Sequence, residues 1–274
     1  MTSVKYAICC CAALPLPSGS VLAQEESDAG DESAELAQKL QNPIADLIIL
    51  PIQYNYDIDI GPNDDGSRHL TNIQPVYPFR LNEDWNLISR TILPIIQQED
   101  VPAKGMHETG VGDITQSLFF SPVQRTKNGW IWGAGPVLLL PTASDDSLGS
   151  ENWGLGPTVV GLKQEGPWTV GALANHVWWL ASESGRSDVD ATYFEPWLTY
   201  TTKSNTSIST SIETVYDWEA EEASIRPTFI VDQLFQVDGQ YISIAPSVYY
   251  WLDSPAEGPE GFGFRLQMTF LFPK

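Results

Sequence analysis

Nowhere among its 274 residues does the chain hold a run of eighteen or more apolar side chains, which excludes a membrane-spanning helix. Cysteine and histidine are scarce: Cys9, Cys10 and Cys11 are the only cysteines, and His69, His107 and His176 the only histidines. All the cysteines fall in an N-terminal stretch (1–23) that reads as a cleaved secretory leader. Lys5 is its positive end, Tyr6 to Leu16 its apolar centre, and Val21 to Ala23 a small-residue cleavage site before Gln24. The cysteines lie midway through the apolar run rather than after it, which argues against a lipoprotein anchor. A mature chain without cysteine has no disulfides, thiolate metal sites or cysteine nucleophiles. Base is scarce too: without Lys5, 13 Lys and Arg stand against 35 Asp and Glu. That balance argues against nucleic acid as a partner.

What is present is alternation. The mean hydropathy of -0.15 suits a soluble protein, and equally a transmembrane β-barrel, in which lipid-facing and lumen-facing residues cancel. Residues 24–46 differ from the rest: an acidic tail, then a short helix over 33–40 stopped by Asn42-Pro43. From 47 to 274 the pattern is strand after strand. In the first, Leu50, Ile52, Tyr54, Tyr56 and Ile58 share one face, with Gln53, Asn55 and Asp57 opposite. In the second, Ile73, Pro75, Tyr77 and Phe79 face outward and Asn72 and Gln74 inward. In the last, Phe262, Phe264, Leu266, Met268, Phe270 and Phe272 alternate with Gly263, Arg265, Gln267 and Thr269. Other strands are expected near 85–97, 111–121, 130–141, 153–163, 169–180, 191–202, 206–217, 224–235 and 241–252. Alternation is poor over 130–141 and 169–180, where both faces are apolar.

The connections alternate between short and long, as in an outer-membrane barrel. Short turns fall at Arg80–Asp84, Gln164–Pro167, Lys203–Asn205 and Val237–Gln240; long loops include Gly61–His69, Gln98–Gly110, Thr142–Asn152, Ala181–Asp190 and Asp253–Gly261. The long loops carry acid, among it Asp64, Asp65, Asp145, Asp146, Glu151, Glu183 and Asp188, whereas Arg80, Arg125, Lys127 and Lys203 lie at the short turns. Aromatic residues gather near strand ends, as an interfacial girdle requires. The expectation is an all-β, antiparallel, up-and-down transmembrane barrel of about twelve strands. A soluble β-sandwich is the competing reading; it would bury these rings in a core. Pro51, Pro75, Pro94, Pro136, Pro157, Pro196, Pro227 and Pro246 fit neither reading simply, because each removes a ladder donor.

On these strands the chain resembles the outer-membrane proteins grouped as "MetA-pathway of phenol degradation", often labelled transporters. The resemblance lies in NPIADLIILPIQYNYD, NIQPVYPFRLNEDWNLISRTILPII, GVGDITQSLFFSP, WIWGAGPVLLLPTASDD, WGLGPTVVGLKQEGPWTVGALANHVW, VYDWEAE and GPEGFGFRLQMTFLFPK. It implies an outer-membrane barrel that passes small hydrophobic or aromatic molecules.

Twelve strands lie between the eight of a filled barrel and the sixteen of an open aqueous channel, so a narrow or plugged pore is expected. Candidate pore-lining charges are Asp57, Arg90, Asp113, Glu195, Glu213, Arg226, Asp232 and Arg265. Counting through the turns places Glu195 opposite Glu213, with Arg226 near Glu213 on the diagonal. That cluster either favours cations and positions a solute, or is a salt-bridge layer filling the barrel. The motif W-G-x-G-P occurs at Trp132–Pro136 and Trp153–Pro157; its glycines either leave room for a plug or solute, or permit curvature. No His-x-Ser pair supports a lipid hydrolase, and three dispersed histidines give no metal spacing. His176 is expected to be a packed strand residue. Acidic loops suit calcium but lack a calcium-loop spacing, and a solvated rim is the simpler account. No cofactor and no enzyme activity are expected. The expected partners are outer-membrane lipid, small apolar or aromatic solutes, and the assembly machinery that receives the C-terminal strand. The alternatives to a passive channel are a structural or surface-interaction barrel without a continuous pore and, more remotely, an enzyme.

Overall fold

The computed structural model describes residues 33–61, 63–101, 103–150, 152–182 and 189–273. The expected leader, the acidic tail after it and the loop acids Glu151, Glu183 and Asp188 lie outside the described residues. A helix, α1, covers 33–40. Strands follow: β1 (Ile48–Ile60), β2 (Gly66–Ile73), β3 (Val76–Arg80), β4 (Trp85–Glu99), β5 (His107–Val111), β6 (Ile114–Pro122) and β7 (Trp130–Leu140). The remainder are β8 (Asn152–Glu165), β9 (Trp168–Ser182), β10 (Asp190–Thr201), β11 (Thr206–Asp217), β12 (Glu222–Val237), β13 (Gln240–Trp251) and β14 (Gly261–Phe272).

The fourteen segments form one antiparallel sheet. Strands β2 and β3 are halves of one crossing strand broken at Gln74-Pro75, since both pair with β1 and with β4. Strands β5 and β6 are likewise halves broken at Gly112-Asp113, both on β4. Twelve strands therefore cross, as the alternation predicts. Strand β14 closes on β1 from Ile48↔Phe272 to Tyr56↔Phe264. Several ladders run past the expected strand ends: β2 begins at Gly66 and β4 reaches Glu99, so those loops are shorter than the sequence suggests. At the short-turn end, Asp238 (φ 50°) and Gly239 (φ 83°) both take left-handed angles between the paired Val237 and Gln240. That is the two-residue turn whose twist matches a hairpin.

The faces divide as the period-two pattern requires. On β14, Gly263, Arg265, Thr269 and Leu271 are buried while Phe262, Phe264, Leu266, Met268 and Phe272 are exposed. The interior at the short-turn end holds two apolar clusters beside buried hydroxyls such as Thr199 and Ser209. Ile88, Phe119, Val160, Leu162 and Leu173 pack there around Ile44 of the N-terminal segment. Leu36 and Ala37 of α1 and Leu47 pack against Leu234, Tyr241 and Leu271. The segment is thus seated inside the barrel. Gln38 Nε2 donates to the Gly166 carbonyl (2.6 Å), and Gln164 Nε2 donates to the Gln38 carbonyl (2.8 Å).

The prolines now have an explanation. Pairing of β6 with β7 runs from Ile114↔Leu140 to Ser117↔Val137 and resumes at Phe120↔Ala134, skipping the pairs of Gly135 and Pro136. Pairing of β8 with β9 skips Gly156 and Pro157. Pairings also lapse beside Pro196 in β10–β11 and beside Pro227 and Pro246 in β12–β13. Pro51, Pro75 and Pro94 adjoin the two broken strands. Each missing N–H faces a gap that the ladder already has, so no bond is lost elsewhere. In both W-G-x-G-P motifs the carbonyl deprived of its donor turns over the preceding glycine. A methyl on Gly135 would lie 2.0 Å from the Leu118 oxygen, and one on Gly156 only 1.6 Å from the His176 oxygen. These glycines are therefore required by a backbone atom, not merely permitted by curvature.

Gly156→Ala is expected to cost about 1–3 kcal/mol or more through overpacking, and to lower the yield of heat-modifiable folded barrel on refolding. Gly161→Ala, where a methyl meets nothing within 4 Å, should refold like the parent. Equal yields for the two would refute this account of the motif.

Candidate functional site: a charged layer and cavity inside the barrel

Inward positions in the middle of the barrel surround a cavity of about 520 Å³. Its walls differ in character. Leu139 of β7 and Leu173 and Val177 of β9 make one side largely apolar. Facing them, β1, β2 and β14 present an amide row, in which Gln53 Nε2 donates to Gln267 Oε1 (3.1 Å) and Asn72 Nδ2 to Gln53 Oε1 (3.4 Å). The apolar side explains why β7 and β9 alternate poorly: their inner faces carry apolar cavity-lining residues as their outer faces do.

A charged layer lies beside the cavity. Register puts Glu213 of β11 directly opposite Arg226 of β12, and the two form an ion pair. Arg265 of β14 reaches the other Glu213 oxygen through Nη1 at 2.7 Å and holds Asn55 Oδ1 through Nε at 2.7 Å. The Arg226 guanidinium also lies over the rings of Tyr249 (4.6 Å) and Trp251 (4.9 Å). Both rings in turn donate to Asp57 Oδ1, Tyr249 through its hydroxyl (2.8 Å) and Trp251 through Nε1 (3.0 Å). Arg68 Nη2 completes the chain at 3.1 Å from Asp57 Oδ2, and the Asp57 side chain is 0% exposed. A charge buried to that degree is tolerable only when paired and hydrogen-bonded. Fork geometry and cation–π contact supply both conditions here.

Of the candidate charges, Arg90, Glu195, Glu213, Arg226, Asp232 and Arg265 line the cavity. The pairs Phe194↔Thr214 and Trp197↔Ser211 set Glu195 opposite Glu213, as turn counting predicts. Arg226 is a direct neighbour of Glu213 and not a diagonal one, because β12 begins at Glu222, one residue before the expected turn ends. Asp57 points inward but is spent within the layer. Asp113 requires correction: it sits in the break between β5 and β6 and fastens a loop. Its Oδ1 accepts from the Thr142 and Ala143 amides (3.1 Å each), and its Oδ2 from the Ser150 amide (2.6 Å) and hydroxyl (2.7 Å). Leu148 of that loop is buried, and a methyl on Gly112 would come within 3.0 Å of its carbonyl oxygen.

Sequence reasoning missed Arg68, Tyr249 and Trp251. Arg68 fell in an expected loop, Trp251 was read as girdle, and Tyr249 was given no role. His176 is on the outer wall, where Nδ1 is 2.7 Å from Thr192 Oγ1 and Nε2 is 3.0 Å from Asp190 Oδ1. Trp218 Nε1 donates to the same Thr192 oxygen at 2.8 Å, so this polar group belongs to the aromatic rim. Asp232 accepts from Ser243 and from Gln41 Nε2 of the N-terminal segment (3.3 Å).

Glu213→Gln strips both Arg226 and Arg265 of their carboxylate. It is expected to destabilise the folded barrel by about 3 kcal/mol, read from urea unfolding; Glu195→Gln, which breaks no ion pair, should cost clearly less. Asp113→Ala removes the four hydrogen bonds by which its carboxylate fastens the loop. Limited proteolysis of the folded protein should then cut within 142–150 several times faster than in the parent.

No protein-family model matches the chain, and no curated protein does. Among solved structures, the COG4313 outer membrane channel from Pseudomonas putida F1 superposes with a TM-score of 0.66 at 15% identity, over 82% of this chain and 95% of that one. The NanC porin gives 0.49 at 9% identity over 81% and 98%. The outer membrane phospholipase A from Escherichia coli gives 0.47 at 10% over 89% and 98%. The last two are too distant to carry an argument. The first shows that this chain has the fold of an outer-membrane channel barrel.

Proposed function

We propose that the protein is an outer-membrane channel for passive entry of small apolar or aromatic molecules, of the kind grouped with phenol-degradation transporters. Its leader would be cleaved on export, and its aromatic-rich last strand would present it to the assembly machinery. The observation that carries this reading is the cavity of about 520 Å³ with one apolar wall, enclosed by a barrel whose outer belt is apolar. A cavity of that size accommodates a small aromatic molecule, and the apolar wall gives it a surface to leave water for. The acidic long-loop end disfavours anions at the entrance. The N-terminal segment, packed through Leu36, Ala37 and Ile44, fits the role of a stopper at the short-turn end.

A second reading is a structural or surface-interaction barrel without a continuous pore. It is favoured by the Glu213–Arg226–Arg265 layer, which fills part of the lumen as a brace would. An enzymatic role, such as lipid hydrolysis, is the more remote alternative.

Single-channel conductance in a planar bilayer, with and without residues 24–46, separates the readings. The channel predicts small, cation-preferring steps that grow several-fold when the segment is removed. A folded barrel that is silent in both forms, and admits no aromatic solute to liposomes, supports the brace.

A further inference from the structure

The charged side chains lining or adjoining the cavity are the acids Asp57, Glu195, Glu213 and Asp232 and the arginines Arg68, Arg90, Arg226 and Arg265. Most are already committed. Asp57 is held by Arg68, and Glu213 by Arg226 and Arg265. Asp232 is covered by Gln41 and Ser243. Among the described residues, Arg90, Glu195 and Asp232 line the cavity without an ion pair, and of these Asp232 has both its oxygens occupied by the neutral donors Ser243 and Gln41. Arg90 donates through Nη2 to Gln74 Oε1 at 2.9 Å, and its other guanidinium nitrogens have no side-chain partner. Glu195 accepts the Tyr193 hydroxyl at 2.7 Å on Oε2, and its second oxygen is free.

The two come from nearly opposite arcs of the wall, on β4 and β10, the third and eighth of the crossing strands. They are nonetheless close enough for the Arg90 charge to act on both Glu195 and Tyr193. Leu139, Leu173 and Val177 lie on the arc between those strands.

We propose that Arg90 and Glu195 are the specificity pair of this cavity, which selects small net-neutral solutes with an apolar body, an acidic end for Arg90 and a basic end for Glu195. The inference rests on reading the cavity as the solute's path. A molecule carrying one charge satisfies one partner but strips water from the other without replacing it, and an unpaired buried charge is costly. A molecule charged oppositely at its two ends satisfies both and lays its body on the apolar arc. The committed charges are neutral in sum, so they set no preference of their own.

The test is equilibrium binding to the detergent-refolded chain by titration calorimetry, with probes sharing one aromatic body. They are 4-(aminomethyl)benzoate, which is charged at both ends, 4-methylbenzoate and 4-methylbenzylamine. The first should bind about tenfold tighter than either of the others, the scale of one charge-assisted hydrogen bond. Arg90→Gln should abolish the advantage over 4-methylbenzylamine, and Glu195→Gln the advantage over 4-methylbenzoate. Arg90→Lys should retain the parent ranking, which a purely structural role for Arg90 would not require. Equal binding of all probes, tighter binding of a singly charged one, no binding at all, or the same shift from both glutamine variants would each overturn the pair. Conductance is scored separately. A barrel that conducts without ranking the probes loses only this inference, whereas one that ranks them but passes nothing loses the channel.

Discussion

Lipid offers a backbone no hydrogen bonds, so a sheet that crosses it must leave no edge. In this chain the whole demand falls on one seam, where β14 lies against β1 through nine successive pairs. Closure makes every strand two-faced: alternate positions are committed to the outer belt, and the rest are enclosed with one another. The acidic composition then has consequences inside. A carboxylate on an inward position must find a cation or a hydrogen-bond donor on the wall or the enclosed segment. The Asp57–Arg68 and Glu213–Arg226–Arg265 contacts, drawn from β1, β2, β11, β12 and β14, follow from closure as much as from the residues themselves.

Closure also explains how the wall tolerates proline. In a ladder whose bonds are all needed, a missing donor leaves an orphaned carbonyl, and lipid cannot satisfy it. Here the orphan is turned inward, over a glycine, and away from the apolar outer belt. Pairing Gly135 with Pro136 and Gly156 with Pro157 is therefore one device: proline creates the orphan and glycine gives it somewhere to go. The same strands carry the apolar inner arc, so the fault and the apolar wall occupy one sector of the barrel.

Much of this was legible in the sequence, and the rest was not for identifiable reasons. Strand number, closure and the two faces of β1 and β14 follow from period-two alternation alone. The helix stop at Asn42-Pro43 follows from proline geometry, and the Glu195–Glu213 pairing needed only a correctly placed turn. Arg226 was one register step off because the β11–β12 turn is tighter than its polar composition suggests. Arg265 was illegible as a partner of Glu213. The two are on strands separated by β12 and β13, and they meet only because the barrel curves. Asp113 had the inward parity of its strand, but parity is meaningless across a break, and no pattern marks the break except Gly112.

The N-terminal segment shows why the barrel's contents matter as much as its wall. Inward positions near the short turns, such as Leu162, Leu234 and Leu271, are apolar, which would be unfavourable in a water-filled lumen. They are stable because Leu36, Ala37, Ile44 and Leu47 cover them. Farther in, the cavity wall mixes amides, hydroxyls and charged groups with the apolar Leu139 and Val177. Leu40, Gln41 and Pro43 carry the segment up to the cavity, so part of the cavity's lining is the chain's own N-terminal segment. The apolar stretch of inward wall near the short turns therefore requires the chain's own N-terminal segment over it.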